Sequence, residues 1–274
     1  MVNTIVHAGN FSIRLKPGLD HTTIKYSPEY QASEISDPNL KFELAEAQRL
    51  EINWFDTIEY HYRFELEEPI NGRYNWYAFQ DHVKIYDDES DVIISPTRIL
   101  DVPYFPQNDN IIRPFQTCNM TCAAMVVEYF YPGTNGNTPG QLEDSLTQYC
   151  VGKYGYNSIY YHSHIVDTLK HWNVKSTFST TTPFSKIKHH LDRGNPVIYS
   201  GKFTESGHII VLRGYDETGF WVNDPYGEWY NWGYDRNTPN NMKKGENLHY
   251  SYNMMGALSN SGRQAGWAHL CEKM

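Results

Sequence analysis

The sequence predicts an α+β protein in which a small all-β segment precedes a mixed one. Up to about residue 87, short runs rich in β-branched and aromatic residues alternate with turn residues, the mark of strands. Beyond residue 100, helical stretches come before a run of strands, the order expected of a segregated α+β domain. The charge changes where the pattern changes. Residues 1–100 carry 9 Lys and Arg against 17 Asp and Glu, whereas residues 101–274 carry 14 against 15. Segments of such different character predict two domains: an all-β domain over 1–90, a linker over 91–100 and a larger domain over 101–274.

The expected strands of the first domain are FSIRL, TTIKYS, RLEINWFDTIEY, HYRFELE and WYAFQDHVKIYD, with Asn71-Gly72 as one of the turns between them. A competing signal is ELAEAQRLEI, which reads as a helical turn. The acidic, Pro-punctuated DDESDVIISPTRILDVP serves as the linker. An extended VPYFPQ follows, and then a helix whose positions Ala123, Met125, Val126, Val127, Tyr129 and Phe130 predict a mostly buried element ended by Pro132-Gly133. Further helices are expected in SIYYHSHIVDTLKHW and in PFSKIKHHLDRG, the latter capped at Gly194. Strands close the list: PVIYSGKF, HIIVLRGY and GFWVND.

Several function classes are disfavoured. Mean hydropathy is −0.62, and no apolar run approaches the roughly 18 residues that a membrane-spanning helix needs. The N-terminal MVNTIVHAGNFSIRLKPG lacks the basic start and apolar stretch of a secretory signal, so the expected location at synthesis is the cytoplasm. No basic stripe is present, which argues against nucleic acid as a partner. The four cysteines are too few to staple a chain of 274 residues, and none forms a C-x-x-C pair. Free thiols, no cofactor and no metal are the expectation. A zinc site from His162, His164 and His171 lacks any accompanying Cys or acid cluster. The 22 Tyr, 12 Phe and 7 Trp suit a groove that grips peptide or sugar as well as a core.

The chemistry lies in FQTCNMTCAAMVVEYF, where Cys118 stands at the threshold of the helix. Unpaired N–H groups at a helix start favour a thiolate. Cys122, one turn further in, would point along the same face. Taken alone, both are small buried hydrophobes, as most free cysteines are. A thiol also needs a base in reach and a group that orients the base. His208 at the mouth of one strand and Asp224 just past the next supply that pattern in SGHIIVLRGYDETGFWVNDPYG, although Asp224 before Pro225 is also an ordinary turn former. A two-residue hairpin turn would set His208 and Asp224 on opposite faces. A three-residue loop, Glu217-Thr218-Gly219 with Gly219 left-handed, would bring them to one face and send Asn223 to the other. For the oxyanion donor the candidates are Gln107 and Gln116, with Gln107 preferred because a loop lets its amide swing alongside the thiol.

Cys, His and Asp in this order, on a helix start followed by a hairpin, resemble the papain-type cysteine hydrolases. DVPYFPQ…TCNMTCAAMVVEYF, GNPVIYSGKF and GHIIVLRGYDETGFWVNDPYG are together similar to the bacteriocin-processing, double-glycine-leader cysteine peptidases, and most of all to their stand-alone relatives. The likeness runs from about 101 to 270. It implies a papain-like fold with Cys118 as nucleophile, His208 as base, Asp224 as orienting acid and Gln107 as oxyanion glutamine. Asn119 stands where that family often has Gly, and the gap from Gln107 to Cys118 is longer than in transporter-fused members. NWYAFQDHVKI, near the end of the first segment, resembles a Src-homology-3-like (SH3-like) barrel. A small β-barrel ahead of such a domain suggests a peptidoglycan cross-link peptidase or endolysin, phage-encoded and released to the wall. The alternatives are a cytoplasmic or maturation protease, a thiol acyltransferase, and a catalytically silent binding module.

Overall fold

Apolar side chains of the first segment recur at every second position along its strands, as a sheet with a buried face requires. Tyr62, Phe64 and Leu66 are buried along one strand, and the same pattern places Phe11, Ile13 and Leu15 inside along another. The structure, a computed structural model, describes residues 7–58, 60–87, 92–94, 98–235, 244–262 and 264–274. It divides into two compact units, Met1–Pro96 and Thr97–Met274.

The first unit holds β1 (His7–Leu15), β2 (His21–Lys25), β3 (Lys41–Ala45), β4 (Arg49–Ile58), β5 (His61–Ile70), β6 (Arg73–Phe79), β7 (Val83–Asp87) and β8 (Val92–Ile94). They form one antiparallel sheet in the order β3-β2-β6-β5-β4-β1-β7-β8 around Trp76, Phe55, Phe64 and Ile13. Asn71 and Gly72 have φ of +54° and +72° between the paired Ile70 and Arg73, a two-residue hairpin turn that needs residues tolerant of the left-handed region. The helical reading of ELAEAQRLEI is overturned. Glu43–Ala45 belongs to β3, and a tight turn follows in which Gln48 N–H donates to Ala45 O (3.0 Å) and Ala45 N–H to the Gln48 side chain (2.8 Å). Strand pairing with β2 outweighs the helix propensity of Glu and Ala there. Of the expected linker, Val92–Ile94 pairs with β7 and Arg98–Ile99 joins the second unit's sheet, while residues 91 and 95–97 lie outside the described residues.

The second unit contains β9 (Arg98–Ile99), α1 (Cys118–Phe130), α2 (Thr134–Asn137), α3 (Leu142–Tyr154), α4 (His162–His171), β10 (Val174–Pro183), α5 (Phe184–Asp192), β11 (Val197–Gly201), β12 (His208–Tyr215), β13 (Gly219–Asn223), β14 (Trp229–Tyr230), β15 (Gly233–Tyr234), β16 (Leu248–Ser251), α6 (Tyr252–Ala257) and β17 (Ala265–Lys273). Its main sheet is antiparallel in the order β10-β17-β11-β12-β13-β16, with β9 also pairing with β12. Helix α1 is apolar nearly all round, as befits a helix enclosed by protein: residues 119–127 are buried, and it packs between β12 and α3. This is the α+β arrangement expected.

The hairpin that carries His208 and Asp224 reaches its expected outcome by a different route. Tyr215 lies opposite Phe220, and Asp216 N–H donates to Gly219 O (3.0 Å), so the turn is the two residues Glu217-Thr218. Gly219 is not left-handed. It is glycine because a Cβ there would lie 2.3 Å from Tyr250 O on the neighbouring strand. The parity changes further along, at a bulge: Leu212 faces Val222 and Gly214 faces Trp221, leaving Arg213 as the extra residue. Beyond the bulge His208 and Asp224 share a face. Arg213 is itself buried, and its Nε donates to Leu100 O (2.8 Å).

Candidate active site

Cys118 is the first residue of α1 and partly exposed. The preceding Thr117 gives the first turn no side-chain cap. Cys122, one turn further into α1, differs in exposure: its thiol is fully buried and donates to Ile209 O (3.3 Å). Burial first, and the nearby charges of Cys118 and Asp224 next, push the Cys122 thiol well above its ordinary range. Burial likewise pushes Cys271 up to about 12, and Cys150 is fully enclosed. Among the four thiols only Cys118 reaches solvent.

His208 begins β12 with 5 % of its surface exposed, and Asp224, just past β13, has none. His208 Nε2 lies 2.8 Å from Asp224 Oδ1, which leaves Nδ1 as the nitrogen for the thiol. Burial alone would drive the imidazole toward neutrality. The charges of Asp224 and Cys118, with hydrogen bonds to both, overcome that and hold His208 up to about 10. Asp224 also makes the turn its sequence context suggests, accepting Tyr226 N–H at Oδ1 (3.0 Å). Its Oδ2 accepts the hydroxyls of Tyr234 (2.7 Å) and Tyr250 (3.0 Å). Its N–H donates to Gly245 O (2.8 Å), where a Cβ on Gly245 would fall 1.9 Å from Asp224 O. Asn223 faces the other way, donating to Val102 O (3.0 Å) and accepting Asn247 N–H (3.0 Å).

Gln107 is buried, 2 % exposed, at the end of the extended segment. Its N–H donates to Pro225 O (2.8 Å), the residue after Asp224, and its Nε2 to Pro114 O (3.0 Å), four residues before the thiol. Its Oε1 is buried with no hydrogen-bond partner. The long gap to Cys118 is folded back by residues the sequence reading missed. Asn110 donates to the hydroxyls of Thr117 (2.9 Å) and Thr121 (3.0 Å) on α1, and Asp144 accepts the N–H groups of Ile111 (3.0 Å) and Ile112 (2.9 Å). Gln116 is exposed and engaged elsewhere, its Oε1 accepting from Arg113 and from Tyr160.

Asp144 sits in the first turn of α3, a helix the sequence reading did not name; LEDSL, with two acids at its start, was the available signal. Nothing in the local sequence marks Tyr234 or Tyr250, which reach Asp224 only through tertiary folding. The three histidines weighed for zinc have separate partners. His162 Nδ1 lies 2.9 Å from His269 Nε2, His164 Nδ1 lies 2.9 Å from Ser158 O, and His171 stacks on Tyr149.

A partly exposed thiol on a helix start, beside a buried imidazole paired with a buried carboxylate, is the equipment of a cysteine-dependent hydrolase. The Peptidase_C39 like family matches residues 99–260, and the chain belongs to that family. It is a cysteine peptidase, with a second unit of α+β fold and a first unit that is all β. No curated protein matches the chain. Among solved structures it is similar to a double glycine motif protease from an AMS/PCAT transporter in complex with the leader peptide, at 14 % identity and TM-score 0.41, covering 66 % of this chain and 99 % of that one. It is also similar to a putative C39-like peptidase from Bacillus anthracis, at 16 % identity and TM-score 0.42, covering 65 % and 99 %. Among the described residues no helix is long and apolar enough to cross a membrane.

Proposed function

We propose that Cys118, His208 and Asp224 act as a catalytic triad that hydrolyses peptide bonds, with Gln107 and the Cys118 N–H as oxyanion donors. The observation that carries this reading is the buried His208–Asp224 pair at 2.8 Å beside the one solvent-reaching thiol. With Asp224 on Nε2, the imidazolium proton on Nδ1 faces the thiolate. The thiolate attacks the scissile carbonyl, and the charge that develops on oxygen meets the amide of Gln107 and the helix-start N–H. His208 then protonates the leaving amine, the C–N bond breaks and a thioester remains on Cys118. A water gives its proton to His208 and attacks the thioester, releasing the acid and restoring the thiolate. Asp224 orients the ring and stabilises its charged form throughout. Gln107 suits its role better than Gln116, being buried and tied to Pro225, whereas Gln116 is exposed and held by Arg113 and Tyr160.

The substrate we propose is the cross-linking peptide of the bacterial wall, reached after release from the cell of synthesis by a phage-type lysis route. The support is an acidic all-β first unit, which we read as SH3-like; it carries none of the proposed catalytic residues and is free to hold a large substrate. Phe115, three residues before Cys118, and Tyr156 and Tyr160, both against Arg113, are exposed aromatics that suit an extended peptide. The test is digestion of purified peptidoglycan and of casein by wild type and by Cys118→Ala, with fragments identified by mass spectrometry. Cys118-dependent release of cross-link fragments is the expected result. Cleavage of casein alone would reject the wall and leave a general protease, and transfer to an added amine in place of water would make the protein an acyltransferase.

A further inference from the structure

We propose that Tyr234 and Tyr250 are positioning residues that clamp Oδ2 of Asp224, so that Oδ1 is the only oxygen offered to His208. The inference rests on the triad reading above and adds to it the device that fixes the third member.

A carboxylate on a single-bonded stem can turn about its last torsion and exchange its oxygens, a broad and soft rotation. An orienting acid that did so would let the imidazole drift. Here the rotation is blocked from both sides. Oδ1 takes His208 Nε2 (2.8 Å) and Tyr226 N–H (3.0 Å), and Oδ2 takes the hydroxyls of Tyr234 (2.7 Å) and Tyr250 (3.0 Å). Four donors fill the acceptor sites of one carboxylate, and the residue has no exposed surface. Each tyrosine is held independently. Tyr250 lies on β16 in register with Phe220, and its oxygen also accepts Trp229 N–H (3.0 Å), so its single proton is committed to Asp224. Tyr234 lies on the short β14–β15 hairpin, whose Trp229 Nε1 is anchored to Phe203 O (2.9 Å). The Tyr234 ring stands edge-on to His208 at 5.4 Å, with Tyr226 at 6.1 Å and Phe203 at 6.2 Å, so the same residues also wall the imidazole from water. Burial first and the Asp224 charge next keep both phenols protonated far above neutrality, so both remain donors throughout the working range.

The test compares Tyr234→Phe, Tyr250→Phe and the double variant with Asp224→Asn in the full chain. Three readouts are taken: kcat and KM on a peptide substrate, thermal midpoint, and the downfield proton resonance of His208 Nε2–H, assigned by its loss in His208→Ala. Each single variant is expected to lower kcat roughly tenfold with KM little changed, and the double variant to approach Asp224→Asn, since a hydrogen bond to a buried charge carries about that weight. The resonance is expected to move and broaden in each Phe variant even where the thermal midpoint is kept. A full-activity Asp224→Asn would bring down the triad reading itself. If Asp224→Asn is impaired while the double Phe variant keeps wild-type kcat and an unshifted resonance, the triad stands and the clamp is wrong. A fall in thermal midpoint with kcat and resonance unchanged would likewise overturn it, leaving the tyrosines a purely structural part.

Discussion

The two sides of the site are built to different standards of completion. On the side of the proposed base, His208 and Asp224 are 5 % and 0 % exposed, and both carboxylate oxygens are bonded. On the side of the proposed nucleophile, Cys118 is partly exposed, and Gln107 Nε2, which donates to Pro114 O, has a second N–H to give. The difference follows from what each side must do. An orienting acid and its base work best when no reorganisation is left for the moment of reaction, so the fold saturates them. A nucleophile and an oxyanion donor must meet a group that is absent until substrate arrives, so they keep unspent capacity.

The contrast can be broken by substitution. The largest effect belongs to Cys118→Ala and His208→Ala, each expected to remove activity by a factor of about 10³ or more while the protein stays folded. Next come the two supporting groups, where the two sides should separate. Asp224→Asn and Gln107→Ala are each expected to cost about a hundredfold in kcat. Asp224→Asn should also lower stability by about 1–3 kcal/mol, because four donors lose a charged acceptor in a buried place. Gln107→Ala should change stability much less, since half of its amide is already unpaired. Thermal unfolding of the pair checks this. Equal destabilisation would erase the distinction between the sides.

The pH dependence sharpens the same point. His208 is raised from 6.5 to about 10, so the folded state favours its charged form. Its contribution to stability is full below about 6.5, declines as pH rises, and is gone above about 10. The alkaline limb of kcat/KM should fall near the upper value in wild type and shift downward in Asp224→Asn. A wild-type limb near 6.5 would mean that the buried pair does not hold the proton. The smallest effect is expected from truncation. Residues 97–274 carry every proposed catalytic group and their own core, so alone they should hydrolyse a small peptide at close to the full rate. Loss should appear on wall or other large substrate. Impairment on both substrates would show that the first unit completes the catalytic one.

Much of this was legible in the chain because local chemistry announced it. Asn71-Gly72 marks its own turn, the apolar run after Cys118 marks α1, and the His208…Asp224 spacing marks a hairpin with those two side chains paired at its open end. The face shared by His208 and Asp224 was read correctly but for the wrong reason. A bulge at Arg213 does what a left-handed Gly219 was expected to do, and a bulge is chosen by packing against neighbouring strands rather than by a local residue signal. The support shell was not legible for the same reason. Asn110 meets Thr121, Asp144 meets Ile112, and Tyr234 and Tyr250 meet Asp224 only once separate elements have docked. Cys122 illustrates the reverse case: two thiols four residues apart look alike in sequence, and full burial with a hydrogen bond to Ile209 O sets one of them apart.

The most direct measurement is the native-state reaction of iodoacetamide with the four cysteines, followed residue by residue by peptide mass spectrometry at neutral pH in wild type and in His208→Ala. The expected result is fast alkylation at Cys118 alone, with Cys122, Cys150 and Cys271 protected, and a marked slowing at Cys118 when the imidazole is removed. Comparable labelling of Cys122, or a Cys118 rate indifferent to His208, would contradict the account.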